Sequence, residues 1–105
     1  MFTHAALYRF RSDVTKEQIE TLTRELAART EKTGLAMQYS GGLHVSLPAD
    51  AAIRDKIYDF AAIWVFESKE KQAEFFRHPL AVDCVATYIR PVLENMAVVN
   101  FATEE

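Results

Sequence analysis

Seven consecutive apolar residues, Phe60-Ala-Ala-Ile-Trp-Val-Phe66, constrain this chain more than any other stretch. Set within Ile57–Glu67, they read as a strand, because β-branched and aromatic residues dominate and the run is far too short to cross a bilayer. Strand side chains alternate, so Tyr58, Phe60, Ala62, Trp64 and Phe66 share one face while Ile63 and Val65 point to the other. Both faces are apolar, and such a strand needs cover on both sides.

Phe2–Phe10 has the same density. Alternation places His4, Ala6, Tyr8 and Phe10 on one face and Thr3, Ala5, Leu7 and Arg9 on the other. Thr15 and Gln18 form a capping box for a helix running to about Lys32. Ile19, Leu22, Leu26 and the stem of Arg29 make its apolar stripe, and Gly34 is its stop. Leu35–Leu47 reads as a second strand with a bulge or bend at Gly41-Gly42, followed by a polar connection over Pro48–Asp55. Ser68 caps a helix that carries Phe75 and Phe76 near its end. His78-Pro79 marks a corner into a second helical piece with Val82, Val85, Ile89 and Leu93 as its stripe. Pro91 kinks or ends that piece. Met96–Phe101 is the closing strand, and Ala102–Glu105 a polar tail.

The order β-α-β-β-α-(α)-β is the ferredoxin-like α+β arrangement, with a four-stranded antiparallel sheet in one domain spanning residues 1–105. Its helices cover one sheet face. The other face, with Leu7, Ile63, Val65, Val99 and Phe101, would be a large apolar patch in water. A second copy is the simplest cover, so a homodimer through the open sheet faces is expected.

Composition removes several function classes. Half of the residues are hydrophobic, which excludes disorder for most of the chain. The net charge is −3 and the twelve basic residues form no run, so no nucleic-acid partner is expected. No segment is built to enter a membrane. The single cysteine, Cys84, cannot form an intrachain disulfide, which fits a cytoplasmic location, and Met1-Phe2-Thr3-His4 does not open like a signal peptide.

Several landmarks recur in one order: His4 and Phe10 in the first strand, Tyr58, then Phe66-Glu67-Ser68, His78-Pro79, Arg90-Pro91 and Val98-Val99-Asn100-Phe101. In that order and spacing the chain resembles the stress-responsive dimeric α/β-barrel (Dabb) family over essentially its whole length. The resemblance implies homodimers in which two sheets form a barrel with helices outside. The family includes plant stress proteins, a polyketide cyclase and bacterial proteins of undefined role. In the cyclase, a tyrosine and the second histidine of a His-Pro-x-His motif act in a pocket between sheet and helices. Carried across, that tyrosine falls on Phe75 and that histidine on Ala81, and neither side chain can move a proton. The first-strand histidine does match, at His4.

Candidate site residues follow from the covered face. His4, Ala6, Tyr8, Phe60, Ala62, Trp64, Phe75 and His78 are expected to line a pocket, with small Ala6 and Ala62 leaving room among large aromatics. His4 is the best catalytic candidate, its imidazole suited to either proton role; the plainer reading is a core histidine satisfied by one hydrogen bond. His78 reads as a helix-terminus residue meeting the last carbonyls, or as a gate at the pocket rim. His44 reads as a surface residue, and Cys84 as a buried small hydrophobe. No histidine pair has metal-ligand spacing, and no serine-nucleophile or phosphate-loop motif is present, so neither metal nor cofactor is expected. Three functions compete. The first is a module that binds an apolar or aromatic metabolite. The second is a cofactor-independent cyclase, lyase or monooxygenase, and the third a structural stress protein without a ligand.

Overall fold

The computed structural model describes residues 1–103. Strand β1 (Phe2–Phe10) lies between β3 (Phe60–Phe66) and β4 (Leu93–Ala102), and β2 (Gln38–Leu43) borders β3. All pairings are antiparallel, giving the ferredoxin-like order β2-β3-β1-β4. Period-2 alternation sets the layers. Ala6, Tyr8, Phe10, Phe60, Ala62, Trp64 and Phe66 are buried beneath the helices, whereas their neighbours Leu7 and Ile63 are 39% and 40% exposed.

Helix α1 (Lys16–Thr33) begins with both bonds of the capping box. The Gln18 N–H donates to Thr15 Oγ1 at 3.1 Å and the Thr15 N–H donates to Gln18 Oε1 at 2.9 Å. It ends at Gly34, whose φ of +65° is a conformation that glycine reaches without Cβ strain. Leu22 and Leu26 are buried, and Ile19 packs against them. Thr30 completes the buried face, because its Oγ1 accepts from Trp64 Nε1–H at 3.0 Å.

Several sequence expectations shift. β2 is shorter than Leu35–Leu47, and its ladder runs unbroken from Gln38↔Val65 to Leu43↔Phe60, with no bulge at Gly41-Gly42. Gly41 answers a need for space instead: a Cβ there would stand 2.4 Å from the Tyr39 hydroxyl. The register break falls at the Arg9/Phe10 step, where β4 passes from Asn95 to Leu93 and leaves Glu94 as the extra residue. Pro48–Ala52 and Arg54–Lys56 form 3₁₀ turns within the expected polar connection. β3 begins at Phe60, so Tyr58 lies outside it, its ring 4.4 Å beneath the Arg9 guanidinium. β4 starts earlier than Met96 and takes in Ala102; Glu104 and Glu105 of the expected tail lie outside the described residues.

Helix α2 (Lys69–Arg77) is capped by Ser68, whose Oγ accepts from the Lys71 N–H. Helix α3 (Pro79–Cys84) leads into a π-helical turn over Val85–Ile89 and a 3₁₀ turn over Arg90–Val92. Pro91 explains the sequence of turns. It has no N–H to give and its ring would strike the carbonyl of Thr87, so the regular ladder cannot pass through it. The Arg90 N–H instead reaches back five residues to the Val85 carbonyl. The buried face already differs from the expected stripe within α3, ahead of this turn. Ala81, Cys84, Ile89 and Val92 are buried, while Val82 and Val85, expected on the stripe, are 52% and 37% exposed.

Candidate functional site

The helices do not cover the whole inner face of the sheet. Met96 and Val98 of β4 pair with Tyr8 and Ala6 and share their face, yet both are nearly half exposed. Between that uncovered strip and helices α1 and α3 opens a cavity of about 270 Å³. Its sheet side includes His4, Ala6, Tyr8 and Trp64 with Met96 and Val98; its helix side includes Phe75, Phe76, Cys84 and the π-turn residues Val85 and Ile89. The volume is close to the lower end of small-molecule sites.

Of the residues expected to line a pocket, His4, Ala6, Tyr8, Trp64 and Phe75 do so. Phe60 and Ala62 do not: both are buried to 1% or less, sealed beneath neighbouring side chains. His78 does not either. It caps the start of α3, its Nδ1 accepting from the Leu80 N–H at 3.1 Å, rather than meeting the last carbonyls of α2. His44 is exposed, with Nε2 2.7 Å from Asp50 Oδ2. Among the described residues no cluster of three or more His, Cys, Asp or Glu side chains could hold a metal ion.

Few groups in the cavity are free for polar contacts. Arg29 reaches it, but its guanidinium already donates to Asp83 at 2.7 Å, Glu25 at 3.1 Å and the Leu80 carbonyl at 3.1 Å. The bonds to Asp83 and Glu25 hold it firmly protonated. Burial pushes the Tyr8 hydroxyl up to about 12, with Cys84 adding to the shift, and burial pushes the Cys84 thiol up to about 11. Both are therefore neutral at physiological pH, and Cys84 is no nucleophile.

His4 is half-buried, with ring centroids of Trp64 and Phe76 at 5.4 and 4.6 Å. Its Nδ1 lies 2.6 Å from Asn100 Oδ1, and Gln72 Nε2 donates to the same oxygen at 2.8 Å. Asn100, Gln72, Thr30, Met96 and Val98 were not among the site residues expected from the sequence. A signal existed for three of them, since alternation from Met96 puts Val98 and Asn100 on one face of β4. For Gln72 and Thr30 none did, because their partners come from distant elements.

The sequence profile of the Stress responsive A/B Barrel Domain matches residues 2–103. No curated protein sequence matches the chain. Among solved structures, a dimeric ferredoxin-like protein of unknown function from Thermobifida fusca superposes with a TM-score of 0.83 at 25% identity, covering 97% of this chain and 90% of that one. A protein from Arabidopsis thaliana gives 0.82 at 26% identity, covering 100% and 97%. A hydroxynitrile lyase from Passiflora edulis gives 0.82 at 21% identity, covering 99% and 94%, a likeness of fold alone.

Proposed function

The chain belongs to the stress-responsive A/B barrel domain family, and on that premise we propose that it is a homodimeric module holding an apolar or aromatic metabolite between sheet and helices. The observation that carries this reading is the cavity of about 270 Å³, walled by aromatic and aliphatic side chains and opening beside β4. Small Ala6, buried to 1% between His4 and Tyr8 on the inner face, leaves the space that a larger residue would fill. Ligands of this kind gain by leaving water for such walls, at about 25 cal/mol per Å² of apolar surface.

A thermal-shift screen of naphthols, quinones and aromatic acids tests the reading. At least one class should raise the melting temperature of the wild type by several degrees and leave Val98→Trp, in which the mouth is blocked, unmoved. A screen in which nothing shifts the wild type would overturn it and favour a structural stress protein without a ligand.

The homodimer rests on the open sheet face. Leu7, Ile63, Val99 and Phe101 are 39–55% exposed there, an apolar surface that a second copy would remove from water. The dimeric relative from Thermobifida fusca supports the same assembly. A reducing cytoplasm suits a free, buried Cys84, and no helix among the described residues is long and apolar enough to cross a membrane.

One observation favours a second reading, a cofactor-independent lyase or oxygenase: a histidine and a neutral tyrosine face one apolar cavity. The hydroxynitrile lyase has a similar fold, which by itself assigns no chemistry. The resemblance puts Phe75 and Ala81 at the cyclase's two working positions, which speaks against that route. If a substrate were found and His4→Ala turned it over at the wild-type rate, His4 would not be catalytic.

A further inference from the structure

We propose that Gln72 and Asn100 lock His4 in its Nδ1–H tautomer, so that the cavity presents a hydrogen-bond acceptor and selects ligands carrying a hydroxyl donor over matching ethers. The inference rests on the binding reading above and specifies what the bound molecule must offer. Three elements meet here: His4 on β1, Gln72 on α2 and Asn100 on β4. An amide oxygen can only accept, and Asn100 Oδ1 receives the Gln72 amide N–H at 2.8 Å while lying 2.6 Å from His4 Nδ1. Nδ1 must then carry the proton. A neutral imidazole protonated at Nδ1 has a bare lone pair on Nε2, the reverse of the tautomer that free histidine prefers in water.

The setting makes that lone pair count. Trp64 and Phe76 flank the ring. Of the two arginines in the cavity wall, Arg29 is saturated by its own partners and Arg90 stands in the turn after α3. A phenol, enol or alcohol can donate to Nε2. An ether of the same shape places an acceptor against an acceptor and leaves a partly buried lone pair unmatched, a loss of roughly tenfold in affinity or more. Asn100 and Gln72 are positioning residues in this scheme, since they act through His4.

Two measurements on the full chain test it. Long-range ¹H–¹⁵N correlation on histidine-labelled protein, with His4 identified by its loss in His4→Phe, reads the tautomer directly. The wild type should show Nδ1 protonated, Asn100→Leu should revert towards Nε2–H, and Asn100→Asp, which still accepts, should restore the wild-type form. Calorimetry with 2-naphthol and 2-methoxynaphthalene then reads selectivity. The naphthol should bind at least tenfold tighter to the wild type, and Asn100→Leu should erase that preference, the methyl ether gaining because its oxygen can then accept from Nε2–H. An Nε2–H tautomer in the wild type overturns the proposal at its root. Equal binding of the two probes with the tautomer as expected overturns the donor preference alone. If neither probe binds, the donor preference falls together with the binding reading itself.

Discussion

Trp64 and Ile63 are adjacent on one strand and live in different environments. Trp64 is 2% exposed, with its indole N–H held by Thr30 and the rings of His4, Tyr39, Phe75 and Phe76 around it. Ile63 is 40% exposed on a face that no helix among the described residues covers. The covered face combines aromatic bulk with a few tethered polar groups and keeps a cavity. The open face carries aliphatic side chains and a phenylalanine, useful for burial and for little else. On the proposed reading, one sheet thus separates ligand chemistry from assembly, and the separation can be broken one face at a time.

The largest effect should come from Trp64→Ala. Loss of a buried aromatic costs about 3–5 kcal/mol in proteins generally, and chemical denaturation should show a loss of that size. Ile63→Asp tests the other face. It should weaken self-association by roughly a hundredfold, about 2.8 kcal/mol, and convert the dimer to monomer in light scattering at micromolar concentration. A variant that stays dimeric would show that the open face is not the interface. Thr30→Val is milder: it keeps the shape but leaves the Trp64 N–H without its partner, at a cost of about 1–3 kcal/mol.

The most gradual effect is alkaline. Cys84 and Tyr8 are raised from 9.0 and 10.0 in the unfolded chain to about 11 and about 12 in the fold. Between those values the unfolded chain releases protons that the folded chain retains, so stability falls as pH rises. The two groups contribute fully below pH 9, and the contribution is lost progressively up to about 12. Denaturation midpoints measured across that window should decline, and less steeply in Cys84→Ala.

Much of this was legible in one dimension because its causes are local. The capping box at Thr15 and Gln18 and the stop at Gly34 need only neighbouring residues. The inward set of β1 and β3 follows from alternation alone, and so does the surplus apolar face. The Val82/Val85 stripe was misplaced in phase: the segment buries Ala81 and Cys84, one position earlier, before the π turn begins. Gly41-Gly42 looked like a bend because glycine is permissive, whereas the demand came from the Tyr39 hydroxyl packing over Gly41.

By itself, then, the sequence determined the element order, the faces of the strands and the presence of a histidine among aromatics. Tertiary structure alone decided that the helices stop short of β4, that space remains there, and that Asn100 meets His4 across 96 residues and Gln72 across 28 in that linked pair of bonds. The reason is physical. Periodicity and capping are set by backbone geometry within a few residues, whereas a cavity and a hydrogen-bond chain depend on where separate elements come to rest against one another.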